Sequence, residues 1–341
     1  MDFSSGSRRI LKAAFAFVVV SALIPIHARG QGSDVRSKIL VSTDWLAKHL
    51  TDRNLVLLQV GEKSEYDREH VPGARFVQLS DISDSDHEHP GGLMLQMPPA
   101  DQLRTRLANL GISDNSFVVV YHGNDWVSPS TRVMFTLDYA GLGNQSAILD
   151  GGMQKWKREN RPLTAQVPES LTGQLSPLKT RPIIVDAEWV KANIGKPGIS
   201  VVDGRAAAFY DGVQTGSGMH GVKQRTGHIA GAKSLPFTEV TDDNLNWKSP
   251  AELAALFAKA GVKPGDTVVG YCHVGQQATA MLFAARSLGY KVLLYDGSFE
   301  DWSAHASYPV ETGAARQRPR GRTPIRTWPD SDSASCCLLH M

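Results

Sequence analysis

Six short blocks in the first half of this 341-residue chain recur in the same order in the second half, and no other feature limits its possible folds as strongly. Thr43-Asp44-Trp45-Leu46 is matched around its tryptophan by Asp186-Ala187-Glu188-Trp189-Val190. Leu55-Val56-Leu57-Leu58-Gln59 is matched by Ile199-Ser200-Val201-Val202-Asp203, and Glu65-Tyr66-Asp67 by Phe209-Tyr210-Asp211. His70-Val71-Pro72-Gly73-Ala74 answers to His228-Ile229-Ala230-Gly231-Ala232, and Phe117 to Tyr121 answers to Thr267 to Tyr271. Leu149-Asp150-Gly151-Gly152 with Trp156 completes the series against Tyr295-Asp296-Gly297-Ser298 with Trp302, and the offset drifts only between 144 and 158. The chain is a duplicated module. At roughly 100–200 residues per domain, each copy is long enough to bury its own core.

Within each copy, short β-branched runs alternate with helical patterns. In the second copy Ile199–Asp203, Thr267–Tyr271 and Lys291–Tyr295 read as strands, and Ala251–Ala260 and Ala278–Leu288 as helices. Strands separated by helices require crossovers, so each copy is expected to be an α/β domain with a mainly parallel sheet flanked by helices. Residues 161–182 carry Pro162, Pro168, Pro177 and Pro182 with little periodicity and read as a linker. The expected organisation is a leader (1–28), a first copy (35–160), the linker (161–182), a second copy (183–311) and a basic tail (312–341).

Thirty-six Lys and Arg against 34 Asp and Glu give a formal charge of +2, and the two ends carry more than all of it: +2 in residues 1–28 and +3 in 312–341. The −3 left between them offers no basic surface for a phosphate backbone, so nucleic acid is not an expected partner. The leader has a basic stretch, Ser7-Arg8-Arg9-Ile10-Leu11-Lys12, then an uncharged run from Ala13 to Ile26, then small residues at Ala28 and Gly30. That is the pattern of a cleavable signal peptide, with the mature chain beginning near Arg29 or Gln31. At about 1.5 Å per residue the run falls short of a hydrocarbon core of roughly 30 Å, so no stable membrane anchor is expected. Export to the periplasm is the expectation, by the general route or, from Arg8-Arg9, the twin-arginine route.

The tail beyond Thr312 is rich in arginine, lacks an apolar period and is expected to be disordered; its Cys336 and Cys337 fit no prenylation box. Asp86-His87-Glu88-His89 reads as a solvated acidic turn rather than a metal site, and neither metal nor cofactor is expected. Gly216-Ser217-Gly218-Met219-His220-Gly221 has the glycine spacing of a dinucleotide loop. No strand leads into it and no apolar helix follows, so it reads as an inserted loop.

Of the three cysteines, Cys272 alone lies in a well-patterned region, so packing rather than disulfides must hold the fold. It follows the strand Thr267–Tyr271, at the carboxyl edge where open α/β sheets place ligands. The loop Cys272-His273-Val274-Gly275-Gln276-Gln277 then leads into a helix. Curled tightly around Gly275, it would aim several backbone N–H groups inward beside the positive end of that helix. Such a cradle favours an anion and would stabilise a reactive thiolate at its centre. Position alone leaves a second reading open, a small buried hydrophobe.

Tyr66-x-x-x-His70-Val71-Pro72-Gly73-Ala74, the Tyr295-Asp296-Gly297-Ser298-Phe299 ending with Trp302, and the six-residue loop opened by Cys272 resemble the motifs of the tandem-domain rhodaneses, the thiosulfate and mercaptopyruvate sulfurtransferases, over residues 38–311. The resemblance implies two rhodanese-like domains, the first structural and the second carrying the nucleophile. Accordingly, the position matching Cys272 is His122, in a loop of different size (His122-Gly123-Asn124-Asp125-Trp126) without a thiol, and it reads as a satisfied histidine at the domain seam.

The implied chemistry is a double displacement. Cys272 takes the sulfane sulfur of a small anionic donor, releasing sulfite or pyruvate, and the persulfide passes it to a thiophilic acceptor such as cyanide or a thiol. Arg205 resembles the family's substrate-binding arginine; its counterpart in the first copy is Gly61, and the alternative role is a surface ion pair with Asp203. His273, Val274, Gly275, Gln276 and Gln277 are implied to cradle the substrate. They match neither the Arg- and Lys-rich loops of thiosulfate-type members nor the Gly-Ser-Gly-Val-Thr of mercaptopyruvate-type members, and the missing Ser and Thr favour thiosulfate. His273 would add a positive charge only at lower pH. The related phosphatases need an arginine six places after the cysteine, where this chain has Ala278. The alternative function is a non-catalytic exported binding or sulfur-carrier module, against which the intact Cys272 and Arg205 stand.

Overall fold

The computed structural model describes residues 1–2, 35–86, 92–123, 126–169, 171–217 and 223–313. The leader beyond its second residue, the tail from 314 with Cys336 and Cys337, His87 to His89 and Gly218 to Gly221 lie outside the described residues.

Each copy forms a five-stranded sheet. The first contains β1 (Leu40–Val41), β2 (Leu55–Val60), β3 (Ala74–Val77), β4 (Phe117–His122) and β5 (Ser146–Leu149) in the order β1-β5-β4-β2-β3. In the second copy, β6 (Ile184–Val185), β7 (Ile199–Asp203), β9 (Lys233–Ser234), β10 (Thr267–Tyr271) and β11 (Lys291–Tyr295) take the matching order β6-β11-β10-β7-β9, while β8 (His228–Ile229) pairs antiparallel with β12 (Val310–Glu311). Every pairing within the two large sheets is parallel. The central strands β4 and β10 are buried from Val118 to His122 and from Val268 to Tyr271 without polar alternation, as a sheet covered on both faces requires.

Helix boundaries follow local chemistry. Pro250–Lys259 begins one residue before the apolar pattern because Ser249 and Glu252 form a capping box and Pro250 needs no N–H partner in the first turn; Leu253 and Phe257 face the core. Ser128–Tyr139 and Ala278–Ser287 are buried on nearly every face, since each is covered by its own sheet and by the other copy. They meet where the Thr131 and Thr279 hydroxyls lie 2.8 Å apart.

The repeated motifs are repeated hydrogen-bond sets. The Tyr66 ring stacks on His70 at 4.0 Å and Tyr210 on His228 at 3.6 Å. Tyr121 and Tyr271 accept the amides of Val71 and Ile229 at 3.1 Å, and the indole N–H groups of Trp156 and Trp302 donate to the Pro162 and Pro309 carbonyls. The copies also face each other reciprocally. Asp150 accepts the Trp247 amide at 3.0 Å, and Asp296 accepts the Met97 amide at 2.6 Å, so the seam has the self-complementary form of a two-fold dimer built within one chain. Residues 161–182 are strapped along the first copy: Thr164 and His70 exchange backbone bonds, the Gly173 amide donates to Ala108, and Leu175 is buried in that copy's core.

Candidate active site

Cys272 is the first residue beyond β10, and its amide donates to Ser298 Oγ at 3.2 Å. Ser298 stands where the second copy turns out of β11 with φ +53°, and its hydroxyl donates in turn to the Tyr295 carbonyl. From there the loop turns its carbonyls outward. Those of Cys272 and His273 accept the Phe299 and Glu300 amides at 3.0 Å, that of Gly275 accepts Arg132 Nη1 at 3.1 Å, and those of Gln276 and Gln277 are taken by Thr279 and Ala280. Among the described residues, none of the amides from His273 to Ala278 donates to a protein acceptor. Gly275 makes the curl possible at φ +81°; a Cβ there would lie 2.9 Å from the Asp296 carbonyl and 3.1 Å from Arg132 Nη1. The five amides ahead of the ten-residue helix Ala278–Ser287, with that of its first residue, are donors suited to negative charge.

The thiol itself has no solvent exposure and belongs to the apolar cluster that includes Val202, Phe237 and Ala278. A cleft of about 670 Å³ runs along the domain seam against Asp296 and Gly297, lined also by Met97, Tyr139, Trp189 and Tyr295, and Cys272 is not among its lining residues.

Arg205 lies beside this loop, 1% exposed, and is not a free clamp. Its Nε and Nη2 bind the Asp203 carboxylate at 2.6 to 3.1 Å, Nη2 also donates to the Gly227 carbonyl, and the guanidinium covers the Phe299 ring at 4.1 Å. Burial opposes its charge, yet the combined pull of Asp203 and of the groups beside it, Tyr271 and Cys272, holds Arg205 above its usual value. The Asp203 pair weighed from the sequence is therefore real, but it is a core ion pair rather than a surface one.

His273 is buried as well. Its Nδ1 is 3.1 Å from Gln224 Oε1 and its ring meets the Phe209 ring edge-on; burial, reinforced by Arg205, pushes it down to about 3, so it carries no charge at moderately low pH. Val274 packs on Met94 of the first copy, Gln276 donates to Ser128 Oγ at 3.1 Å, and Gln277 Oε1 is buried without a donor among the described residues. Two side chains of the loop, Val274 and Gln276, thus reach the other copy, while His273 stays within its own.

Sequence reasoning missed Arg132, Ser298, Glu300 and Gln224. The signal for Arg132 was present: an arginine among apolar neighbours in a helix buried on every face. In the first copy, His122 corrects another expectation. It is fully buried with neither ring nitrogen hydrogen-bonded among the described residues, and burial, only partly opposed by Asp150, lowers it to about 4. Gly152, at φ +49° where the second copy has Ser298, leaves room for that ring; a Cβ there would lie 2.5 Å from it.

The family model described as the rhodanese-like domain matches this chain twice, over residues 42–159 and 186–305. The chain belongs to the rhodanese-like family. Thiosulfate sulfurtransferase of Mus musculus is 31% identical over 81% of this chain and 94% of that protein. The sulfur carrier protein TtuD of Thermus thermophilus is 29% identical over 81% of this chain and 97% of its own length. The anaerobic ergothioneine biosynthesis enzyme of Chlorobium limicola shares the fold, with a TM-score of 0.71 at 20% identity, covering 82% of this chain and 71% of that one. This tandem rhodanese-like chain is a sulfurtransferase.

Proposed function

We propose that this sulfurtransferase moves the sulfane sulfur of a small anionic donor, thiosulfate in preference to 3-mercaptopyruvate, through a persulfide on Cys272 to a thiophilic acceptor such as cyanide or a thiol. The observation that carries the reading is the set of amides from His273 to Ala278 left without acceptors around one cysteine. The Cys272 thiolate attacks the outer sulfur of thiosulfate, the donor S–S bond breaks and sulfite leaves with the electron pair. The acceptor then attacks the outer sulfur of the persulfide, and the Cys272 thiolate is the leaving group. The amides hold the negative charge at each stage by electrostatic preorganisation. Arg205 neutralises Asp203 beside the loop and so keeps a second negative charge from opposing an anionic donor. Thiosulfate is favoured by the names of several relatives and by the absence from the loop of a serine and threonine suited to a keto acid.

The test is a side-by-side assay of the two donors with the wild type and Cys272→Ser, followed by intact mass for an adduct of about 32 Da, one sulfur per chain. Turnover at the wild-type rate in the serine variant ends this reading. Complete burial of Cys272 favours a second one, a chain that carries sulfur without turning over, because a closed thiol exchanges slowly. Its mark is an adduct that forms once and is not discharged to cyanide. Export to the periplasm with cleavage near Arg29 or Gln31 is part of the proposal on the strength of the leader's charge pattern, and terminal sequencing of the secreted chain that finds Met1 refutes it.

A further inference from the structure

An amide-inward loop is stable only if its outward carbonyls find donors, because a buried carbonyl without one is costly. Four of the five carbonyls named above are satisfied from within the second copy. The Gly275 carbonyl is the exception, and it lies where the backbone rotates most freely, since glycine accepts φ of either sign. Its donor comes from the other copy: Arg132 Nη1, which also lies 2.8 Å from Asp296 Oδ1, while Nη2 donates to the Leu95 carbonyl.

Nη1 and Nη2 of this guanidinium are held on three acceptors, while its buried Nε has no partner among the described residues. Arg132 is fully buried and Asp296 nearly so; Asp296 is itself anchored by the Met97 amide, and Leu95 is held at φ +53°. Nor does the contact come from the duplication. With Thr131 set against Thr279, the position matching Arg132 is Ala280, which has nothing to donate across the seam. The arginine serves one loop in one direction.

We propose that Arg132, contributed by the copy without a thiol, is the positioning residue that holds the Cys272 loop with its amides inward, and so sets how readily the thiol ionises and transfers sulfur. The inference rests on Cys272 being the nucleophile. If Gly275 loses its donor, the peptide between Gly275 and Gln276 can rotate and turn an N–H out of the cradle.

Arg132→Gln in the full chain tests it by the pH dependence of Cys272 alkylation with iodoacetamide. The charged and titratable groups around the thiol are Asp203 and Arg205 after β7, Tyr271 and His273 about the loop, Asp296 and Glu300 after β11, and Arg132. Of these only Arg132 changes. The half-maximal point is expected to rise by about one unit, and kcat to fall roughly tenfold or more with KM for thiosulfate little altered. Arg286→Gln is the control, since Arg286 bridges Asp138 and the Gly143 carbonyl in the same seam without touching the loop. It is expected to lower the melting temperature without moving the alkylation profile. An unshifted profile in Arg132→Gln, or the same shift in Arg286→Gln, overturns the proposal. If glutamine prevents folding, Arg132→Lys gives the same reading, because a single ammonium cannot span three acceptors in guanidinium geometry. Transfer retained in Cys272→Ser would instead defeat the functional reading on which this rests.

Discussion

Set on one another, the two copies share sheet order, the stacked Tyr–His pairs and the tryptophan anchors, and at the carboxyl edge two pairs of positions change together. His122 beside Gly152 in the first copy becomes Cys272 beside Ser298 in the second; Gln59 with Gly61 becomes Asp203 with Arg205. Each pair is a physical unit. A buried imidazole needs the volume that glycine leaves, whereas the smaller thiol leaves room for a hydroxyl that receives its amide. A neutral Gln59 accepts the Tyr121 hydroxyl at 2.6 Å and needs no counter-charge, while the carboxylate in its place requires a buried guanidinium. These two coupled exchanges lie at the carboxyl edge of a sheet order that the copies share.

Experiments that trade residues between the copies sharpen this contrast. The largest effect is expected from Cys272→Ser, which should lower sulfur transfer by about a thousandfold or more while His122→Cys in the other copy creates none; a thiosulfate–cyanide assay reads both. Next comes Arg205→Ala, which strands the buried Asp203 carboxylate and should destabilise the fold by about 3–5 kcal/mol in denaturant titrations. Adding Asp203→Gln, the first copy's solution, should recover most of that stability without restoring transfer.

Gly152→Ser should cost about 3 kcal/mol because its Cβ meets the His122 ring, and His122→Cys in the same chain should relieve it. Equal melting curves for Gly152→Ser and wild type would mean that the two positions are not coupled. The smallest effect concerns acid. His122 is held near 4 in the fold against an ordinary 6.5, so its contribution to stability is complete above about pH 6.5 and is lost as pH falls toward 4. His122→Asn should flatten that part of the stability profile, by about 2 kcal/mol at pH 5, and an unchanged profile would show that the ring is protonated without cost.

The strands β7, β10 and β11 were legible in the sequence to the residue, because central parallel strands are unbroken apolar runs flanked by turn residues. The helix Ala278–Ser287 was legible for a similar reason, its end displaced by one position. Less was visible of the site. The cysteine and its loop stood out, but Arg205 could be read as a donor clamp or as an ion-pair partner, since one guanidinium suits both and only burial separates them. His122 could not be distinguished from a hydrogen-bonded histidine, because its missing partners are an absence that no local pattern encodes.

Local order settled the duplication, the parallel sheets and the place of Cys272 at a strand end, because hydrophobic period and turn residues act over a few neighbouring positions and are written in series along the chain. Contacts between distant residues settled the rest. Arg132 meets the Gly275 carbonyl across 143 positions, and Asp296 meets Met97 across 199, only when the two copies pack face to face. Which carbonyls of the loop are satisfied, and hence which amides remain for an anion, depends on that packing.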